Sequence, residues 1–196
     1  RETRLIARLG SLDVRSDKVA AVTVWLTGMS GAGKSTLAAA VVARLVAEGR
    51  PAQTLDGDIL REGLNSDLGF TPDGRAEAVR RAGEAACLLA QAGVVPVVAL
   101  ISPYAADRDR VRARHAAHGI GFLEVFVDAP LGVLESRDPK GLYARARAGQ
   151  LQGFTGIDDP YEPPVRPELH LRTDRSSAED CVNQLVDAIK RAIRAE

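Results

Sequence analysis

The chain has 196 residues, with 26 basic residues against 26 acidic ones, two cysteines and three histidines. That length suits one α/β domain with a sizeable core, and the balanced charge offers no global field for nucleic acid or an anionic membrane surface. No apolar run approaches the roughly 20 residues of a membrane span, and the arginine-bearing start has no signal-peptide core. A cytoplasmic protein is therefore expected.

Residues 1–19 are charged, with Leu5, Ile6, Leu9 and Leu12 at roughly helical spacing. They read as an N-terminal extension or short helix at the edge of a domain spanning 20–196. Val22-Thr-Val-Trp-Leu26 follows as a buried-strand run. The chain then reads Gly28-Met29-Ser30-Gly31-Ala32-Gly33-Lys34-Ser35-Thr36, which contains G-x-x-x-x-G-K-S. Glycines let successive N–H groups curl inward into a nest for phosphate oxygens. The helix that begins near Lys34 adds its positive end. In such a loop the lysine reaches the β/γ-phosphates and the Ser35 hydroxyl sits on Mg²⁺. A strand before and an apolar-periodic helix after complete a purine nucleoside triphosphate site.

Gly49 and Pro51 stop that helix, and Ala52–Leu55 reads as the second strand, ending in Asp56-Gly57-Asp58. Carboxylates there lie on the ligand edge of an open parallel sheet. A Gly/Asn/Asp-rich loop, Gly63 to Phe70, precedes a helix over Asp73–Gln91 that carries Arg75, Arg80 and Arg81. Val94–Leu100, apolar throughout, reads as an interior strand and leads into Ile101-Ser102-Pro-Tyr104. In the next helix, Ala105–His118, Arg108, Arg110, Arg112 and Arg114 are expected to face mostly outward, and His115 and His118 to be solvated. Gly121–Val127 forms a strand and Leu131–Arg137 a short helix. The charged segment from 137 to about 165 has little core pattern, and a segment of that kind in a compact domain is a binding loop or lid. Glu168–Leu171 reads as a last strand, with Ser176 capping a helix over Ser177–Ala195. The cysteines, Cys87 and Cys181, read as reduced thiols in helices, without metal-ligand spacing. Four or five strands alternating with helices predict a three-layer α/β P-loop kinase-like fold with a parallel sheet.

Several stretches together go beyond a phosphate loop. Asp56-Gly-Asp58-x-x-Arg61, Gly63-Leu-Asn65-x-Asp67-Leu-Gly-Phe70, Ile101-Ser-Pro-Tyr104, Arg137-Asp-x-Lys140-Gly-Leu-Tyr143 and Gly153-Phe-Thr-Gly-Ile-Asp158 resemble the adenylylsulfate (APS) kinase family, in the family's order over about residues 20–175. The resemblance implies transfer of the ATP γ-phosphoryl group to the 3′-hydroxyl of adenosine 5′-phosphosulfate. It further implies Mg²⁺ with ATP, a possible ATP sulfurylase partner or fusion, and a homodimer. By the same resemblance Asp58 orients or deprotonates the acceptor hydroxyl or supports the metal with Ser35. Arg61 and Arg75 clamp the phosphosulfate, and Phe70 and Phe154 sandwich the acceptor adenine. Lys140, Arg137 and Gly153 arrive with the lid, Arg137 toward ATP. Ser102 matches a serine associated with a phosphoserine intermediate. No evident base neighbours it in the sequence, so substrate binding by its hydroxyl and the Ile101 backbone is the expected role. Where the family reads Asp-Arg-x-x-Asn, this chain reads Gly74-Arg75-Ala-Glu-Ala78. On the residues alone, a kinase for another nucleotide-linked anion and a regulatory nucleotide-binding module remain alternatives.

Overall fold

The computed structural model describes residues 22–194, so the expected N-terminal extension over 1–19 lies outside the described residues. Five strands form one parallel sheet: β1 (Val22–Thr27), β2 (Ala52–Asp56), β3 (Val95–Ala99), β4 (Gly121–Asp128) and β5 (Leu169–Arg172), in the order β2-β3-β1-β4-β5. Every residue of β1 is buried, because β3 and β4 flank it and helices cover both faces. Its alternation divides the core. Val22, Val24 and Leu26 pack with α1 (Lys34–Ala47) and α7 (Ala178–Arg194) through Leu37, Val41, Leu45, Leu185 and Ile189. Trp25 faces the opposite layer, where Val79, Ala82 and Ala86 of α3 (Pro72–Gln91) meet Val111 of α4 (Ala105–Ala116). A side chain at Gly83 would press within 2.8 Å of Val111, so glycine sets how closely α3 and α4 approach.

Short helices occupy the ligand edge of the sheet: α2 (Gly57–Glu62), α5 (Leu131–Arg137) and α6 (Leu142–Arg147). Asp56 closes β2 and caps α2 at once, its carboxylate accepting from the Asp58 amide at 2.9 Å. Thr71 caps α3 with Pro72 in the first turn, one residue earlier than the sequence pattern indicated. The last helix is capped by Ser177, not Ser176: its Oγ accepts from the Asp180 amide at 3.1 Å and donates to the Asp180 carboxylate.

Burial departs from the sequence pattern at three places. Arg108 is 2% exposed and donates to Glu124 at 2.8 Å, so it points into the fold. His115 is fully buried, its Nδ1 donating to the Val111 carbonyl at 2.8 Å and its ring packed on Phe122, while His118 is exposed. Asp107, Arg108, Val111 and His115 recur at helical spacing, so the inward face of α4 carries polar residues. The segment after Arg137 also contributes to the main core, through Tyr143, Ala146 and Phe154 with Leu151 and Ile157 against them. Both cysteines are free and buried. Among the described residues no helix is long and apolar enough to cross a membrane.

Candidate active site

The loop between β1 and α1 is built by close approach. A side chain on Gly28 would collide with the Val127 carbonyl, and Gly28, Gly31 and Gly33 take φ of 150°, 75° and 99°. Gly33 leads into α1 with no side-chain cap and no acidic residue in the first turn. The free amides and positive end of α1 are thus left for an anion. Three side-chain donors hold the outer side of the loop. Tyr143 donates to the Ser30 carbonyl at 3.0 Å, Arg137 to the Gly31 carbonyl at 3.4 Å and Thr173 to the Ala32 carbonyl at 3.1 Å. A trans peptide sends its N–H opposite to its C=O, so the Gly31 and Gly33 amides turn away from those donors.

Lys34 is buried and donates to the carbonyls of Gly28 and Met29, both at 2.8 Å. Burial lowers its pKa from 10.5 to about 8; the Asp56 and Asp58 carboxylates oppose the shift and the Lys140 charge adds to it. Three charged side chains therefore act on Lys34. Ser35 and Thr36 are exposed in the first turn of α1. Beside them a cleft of about 270 Å³ runs between Gly33, Thr36 and Leu37 on one wall and Arg137, Thr173, Ser176 and Cys181 on the other. The sequence reading reached Arg137 here but not Thr173, Ser176 or Cys181. No motif marks them, because Thr173 and Ser176 belong to the β5–α7 connection and Cys181 to the first turn of α7, and they reach the loop only through the sheet order.

The opposite side of the loop is bounded by the ends of β2 and β3, the crevice expected of an open parallel sheet. Asp58 is exposed and ion-pairs with Lys140, which brings the segment after α5 across to α2. Arg61 donates to the Leu68 carbonyl at 3.1 Å, and its guanidinium lies 3.9 Å over the ring of Phe70, itself 62% exposed. Burial and then the like charge of Arg75 lower the Arg61 pKa, with Asp58 opposing. Arg80 and Arg81 point elsewhere. They pair with Glu77, and Arg81 also grips Asp67 and the Leu64 carbonyl, which holds the Gly63–Phe70 loop to α3.

The two aromatic residues are placed differently. Phe70 is open to solvent, whereas Phe154 is 7% exposed and edge-on to Tyr143, with ring centroids 4.9 Å apart. Asp158 accepts from the amides of Gly153 and Phe154, both at 2.6 Å, and folds their turn, while Gly156 lies where a side chain would meet Met29 Sδ at 2.7 Å. Arg75 reaches this turn as well, through Thr155 and the Gly153 carbonyl. Ser102 is 3% exposed, with φ of 40°. Its Oγ accepts from Trp25 Nε1 at 3.1 Å and donates to Thr27 Oγ1 at 2.9 Å, so the hydroxyl is turned into the fold. The Ile101 carbonyl accepts from Thr27 Oγ1 at 2.7 Å.

Among the described residues no cluster of three or more His, Cys, Asp or Glu could hold a metal ion. The oxygen donors at the loop are the Ser35 hydroxyl and the Asp56 and Asp58 carboxylates. Such a sparse, hard set fits Mg²⁺ shared with nucleotide phosphates rather than a protein-only cage.

Comparison with known proteins agrees with this arrangement. The family described as adenylylsulphate kinase matches residues 20–172. The adenylyl-sulfate kinase of Microcystis aeruginosa is 54% identical over 162 residues, covering 82% of this chain and 87% of its own. A bifunctional enzyme CysN/CysC of Xylella fastidiosa is 52% identical over 166 residues, covering 85% of this chain but 26% of its own. Among solved structures, the Mycobacterium tuberculosis APS kinase CysC in complex with AMPPNP and APS superposes with a TM-score of 0.84 at 49% identity, covering 87% of this chain and 98% of that one. Phosphate loop, acceptor-side motifs and overall fold thus coincide in one lineage: this chain belongs to the adenylylsulphate kinase family.

Proposed function

We propose that this chain is an adenylylsulfate kinase, taking the γ-phosphoryl group of ATP to the 3′-hydroxyl of adenosine 5′-phosphosulfate and releasing ADP, 3′-phosphoadenosine 5′-phosphosulfate and a proton. The observation that carries the reading is the convergence of Asp56, Asp58 and Lys140 on the buried Lys34. An acceptor-side acid and a second cation sit within electrostatic reach of the phosphate-loop lysine. The complex of the M. tuberculosis relative with AMPPNP and APS supports the same pair of substrates here.

Phosphoryl transfer asks the protein for in-line placement and charge neutralisation more than for covalent chemistry. The loop amides from Gly28 to Gly33 and Lys34 hold the donor phosphates, and Thr36, Arg137 and Thr173 line the cleft for its base. Ser35 and a carboxylate of Asp56 or Asp58 would hold Mg²⁺, which would supply charge neutralisation to the nucleotide phosphates. Asp58 accepts the proton of the 3′-hydroxyl as the new P–O bond forms, leaving Lys140 to compensate the phosphosulfate. Arg61 meets the same anion as a planar fork. Phe70 supplies an open face for the acceptor base, and Phe154 the opposite wall. The segment 137–165 acts as a lid whose closure brings Lys140 and Phe154 over the acceptor and excludes water. Its contacts with Ser30 and Asp58 support that role. Ser102 takes no part as a nucleophile.

Cytoplasmic residence is consistent with two buried free thiols. Association with an ATP sulfurylase follows from the family resemblance, and similarity to a bifunctional relative supports a fused arrangement. Homodimerisation, also implied by the resemblance, is tested by light scattering. The decisive assay couples ADP release to adenosine 5′-phosphosulfate against a panel of other nucleotide acceptors. Turnover confined to adenosine 5′-phosphosulfate is the expected result, and its absence would sink the assignment.

A further inference from the structure

Ser102, in the turn after β3, is the one non-glycine residue with a positive φ among the described residues. L side chains hold that conformation only where their surroundings over-determine it. Two contacts engage its hydroxyl, from Trp25 Nε1 and to Thr27 Oγ1. Its carbonyl needs a donor of its own. A hydroxyl has one proton to give, and that of Thr27 goes to the Ile101 carbonyl at 2.7 Å rather than to the Ser102 carbonyl at 3.4 Å. Arg108 fills the gap, its Nη1 donating to the Ser102 carbonyl at 2.6 Å. The rest of that guanidinium is also spoken for inside the fold. Nε donates to the Glu124 carboxylate at 2.8 Å and Nη2 to the Glu162 carbonyl at 2.7 Å, with the residue 2% exposed.

We propose that Arg108 is a positioning residue for acceptor binding: it holds the main chain of Ser102 in its left-handed turn, so that the Ile101–Ser102 peptide presents a fixed edge to the acceptor. This rests on the adenylylsulfate kinase reading above. The argument lies in the three segments that one planar group joins. Glu124 belongs to β4, Ser102 to the β3–α4 connection and Glu162 to the strap that returns from α6 to β5. Glu162 grips back. Its amide donates to the Pro103 carbonyl at 2.8 Å, and its carboxylate accepts from the Ala105 amide at 2.6 Å. The Tyr104 hydroxyl adds a hydrogen bond to Asp159 at 3.1 Å. The stretch from 102 to 108 is thereby tied to the strap on one side and to the sheet on the other. Such a three-way tie uses the fixed N–H directions of a guanidinium. A lysine keeps the charge for Glu124 but spreads its donors from a single nitrogen, so it cannot serve all three acceptors where they stand. Trp25 is the only tryptophan of the chain, so its indole, bonded to Ser102, reports on the turn.

Arg108→Lys is compared with wild type in three readouts: kcat/KM for adenosine 5′-phosphosulfate at saturating ATP, KM for ATP, and the emission of Trp25. A displaced acceptor edge should lower kcat/KM for adenosine 5′-phosphosulfate by about tenfold to a hundredfold. KM for ATP should stay within about twofold, because the donor side shares no partner with Arg108. The Trp25 emission maximum should shift while the circular dichroism stays native. Arg108→Met combined with Glu124→Leu exchanges the buried pair for apolar side chains and leaves no unpaired charge. It should show the same fall and the same shift, which keeps the test alive if Arg108→Lys does not fold. Ile189→Ala, in the opposite core layer, weakens the fold without touching the turn and should do neither. A fall shared equally by both substrates, or an unmoved Trp25 emission, overturns the proposal. A wild-type enzyme without turnover on adenosine 5′-phosphosulfate would instead overturn the function itself, while the emission still shows whether Arg108 holds the turn.

Discussion

Lys34 holds its charge against burial, and that cost has a measurable consequence. With a pKa near 8, about half of the molecules lack the proton at pH 8. Nucleotide phosphates favour the ammonium, so binding raises the pKa and takes up protons. Calorimetry of nucleotide binding between pH 8 and 9, in buffers of different ionisation enthalpy, should register uptake of about half a proton or more, rising with pH while affinity falls. Lys34→Met should abolish the uptake, and an unchanged value would refute its assignment to Lys34. Ser102 makes the opposite case: a residue matching a proposed intermediate whose hydroxyl is already donor and acceptor in a buried chain from Trp25 to Thr27. Ser102→Ala should keep measurable turnover. It should also lose about 1–3 kcal/mol in urea denaturation, because Trp25 Nε1 is left without an acceptor. Complete loss of turnover with intact substrate binding would revive the covalent route.

At the scale of elements, the segment from α5 to β5 has two tasks. It brings Lys140 to Asp58, and its Tyr143, Ala146 and Phe154 belong to the main core, with Tyr143 bracing Ser30. Phe154→Ala is therefore expected both to raise KM for adenosine 5′-phosphosulfate and to cost about 3–5 kcal/mol of stability. Chemical denaturation separates this from a ring that acts only in binding, which would leave stability within 1 kcal/mol. The α4 helix shows a similar double use. Burial lowers the pKa of His115, and its Nε2 has no hydrogen-bond partner among the described residues. Glu84, His118 and Arg114 are the charged neighbours that act on it. The folded pKa lies below the unfolded value of about 6.5, so the unfolded chain binds the extra proton first as pH falls. Stability should decline from about pH 6.5 downward, and His115→Gln should flatten that part of the pH–stability curve. An identical slope in the variant would remove His115 from the cause.

For the whole molecule, the parts written locally were legible in the sequence, and the parts written across the fold were not. The apolar runs of β1, β3 and β4, the helix periodicities and the glycines of the loop follow from neighbours a few residues apart, which is the range over which strand and helix periodicity acts. Lys34 and Asp58 stand at the ligand edge by local spacing, whereas Arg61 and Lys140 are marked by the resemblance of their motifs to the family's. The burial of Arg108 and His115 was hidden because a polar helix face reads as solvated until Glu124 and Phe122 of β4 are seen opposite it. The inward turn of Ser102 depends on Trp25 and Thr27, some 75 positions away. Likewise, the engagement of Arg75 by Gly153 and Thr155 needs α3 and the segment after α6 side by side. The sequence by itself thus determined a phosphate-binding α/β domain and the chemistry gathered at its edge. Only the tertiary structure decided which of those side chains are free to meet a substrate and which hold the others in place. Hydrogen-bond donors and acceptors are assigned by contact, and contact between distant segments is settled by packing rather than by periodicity.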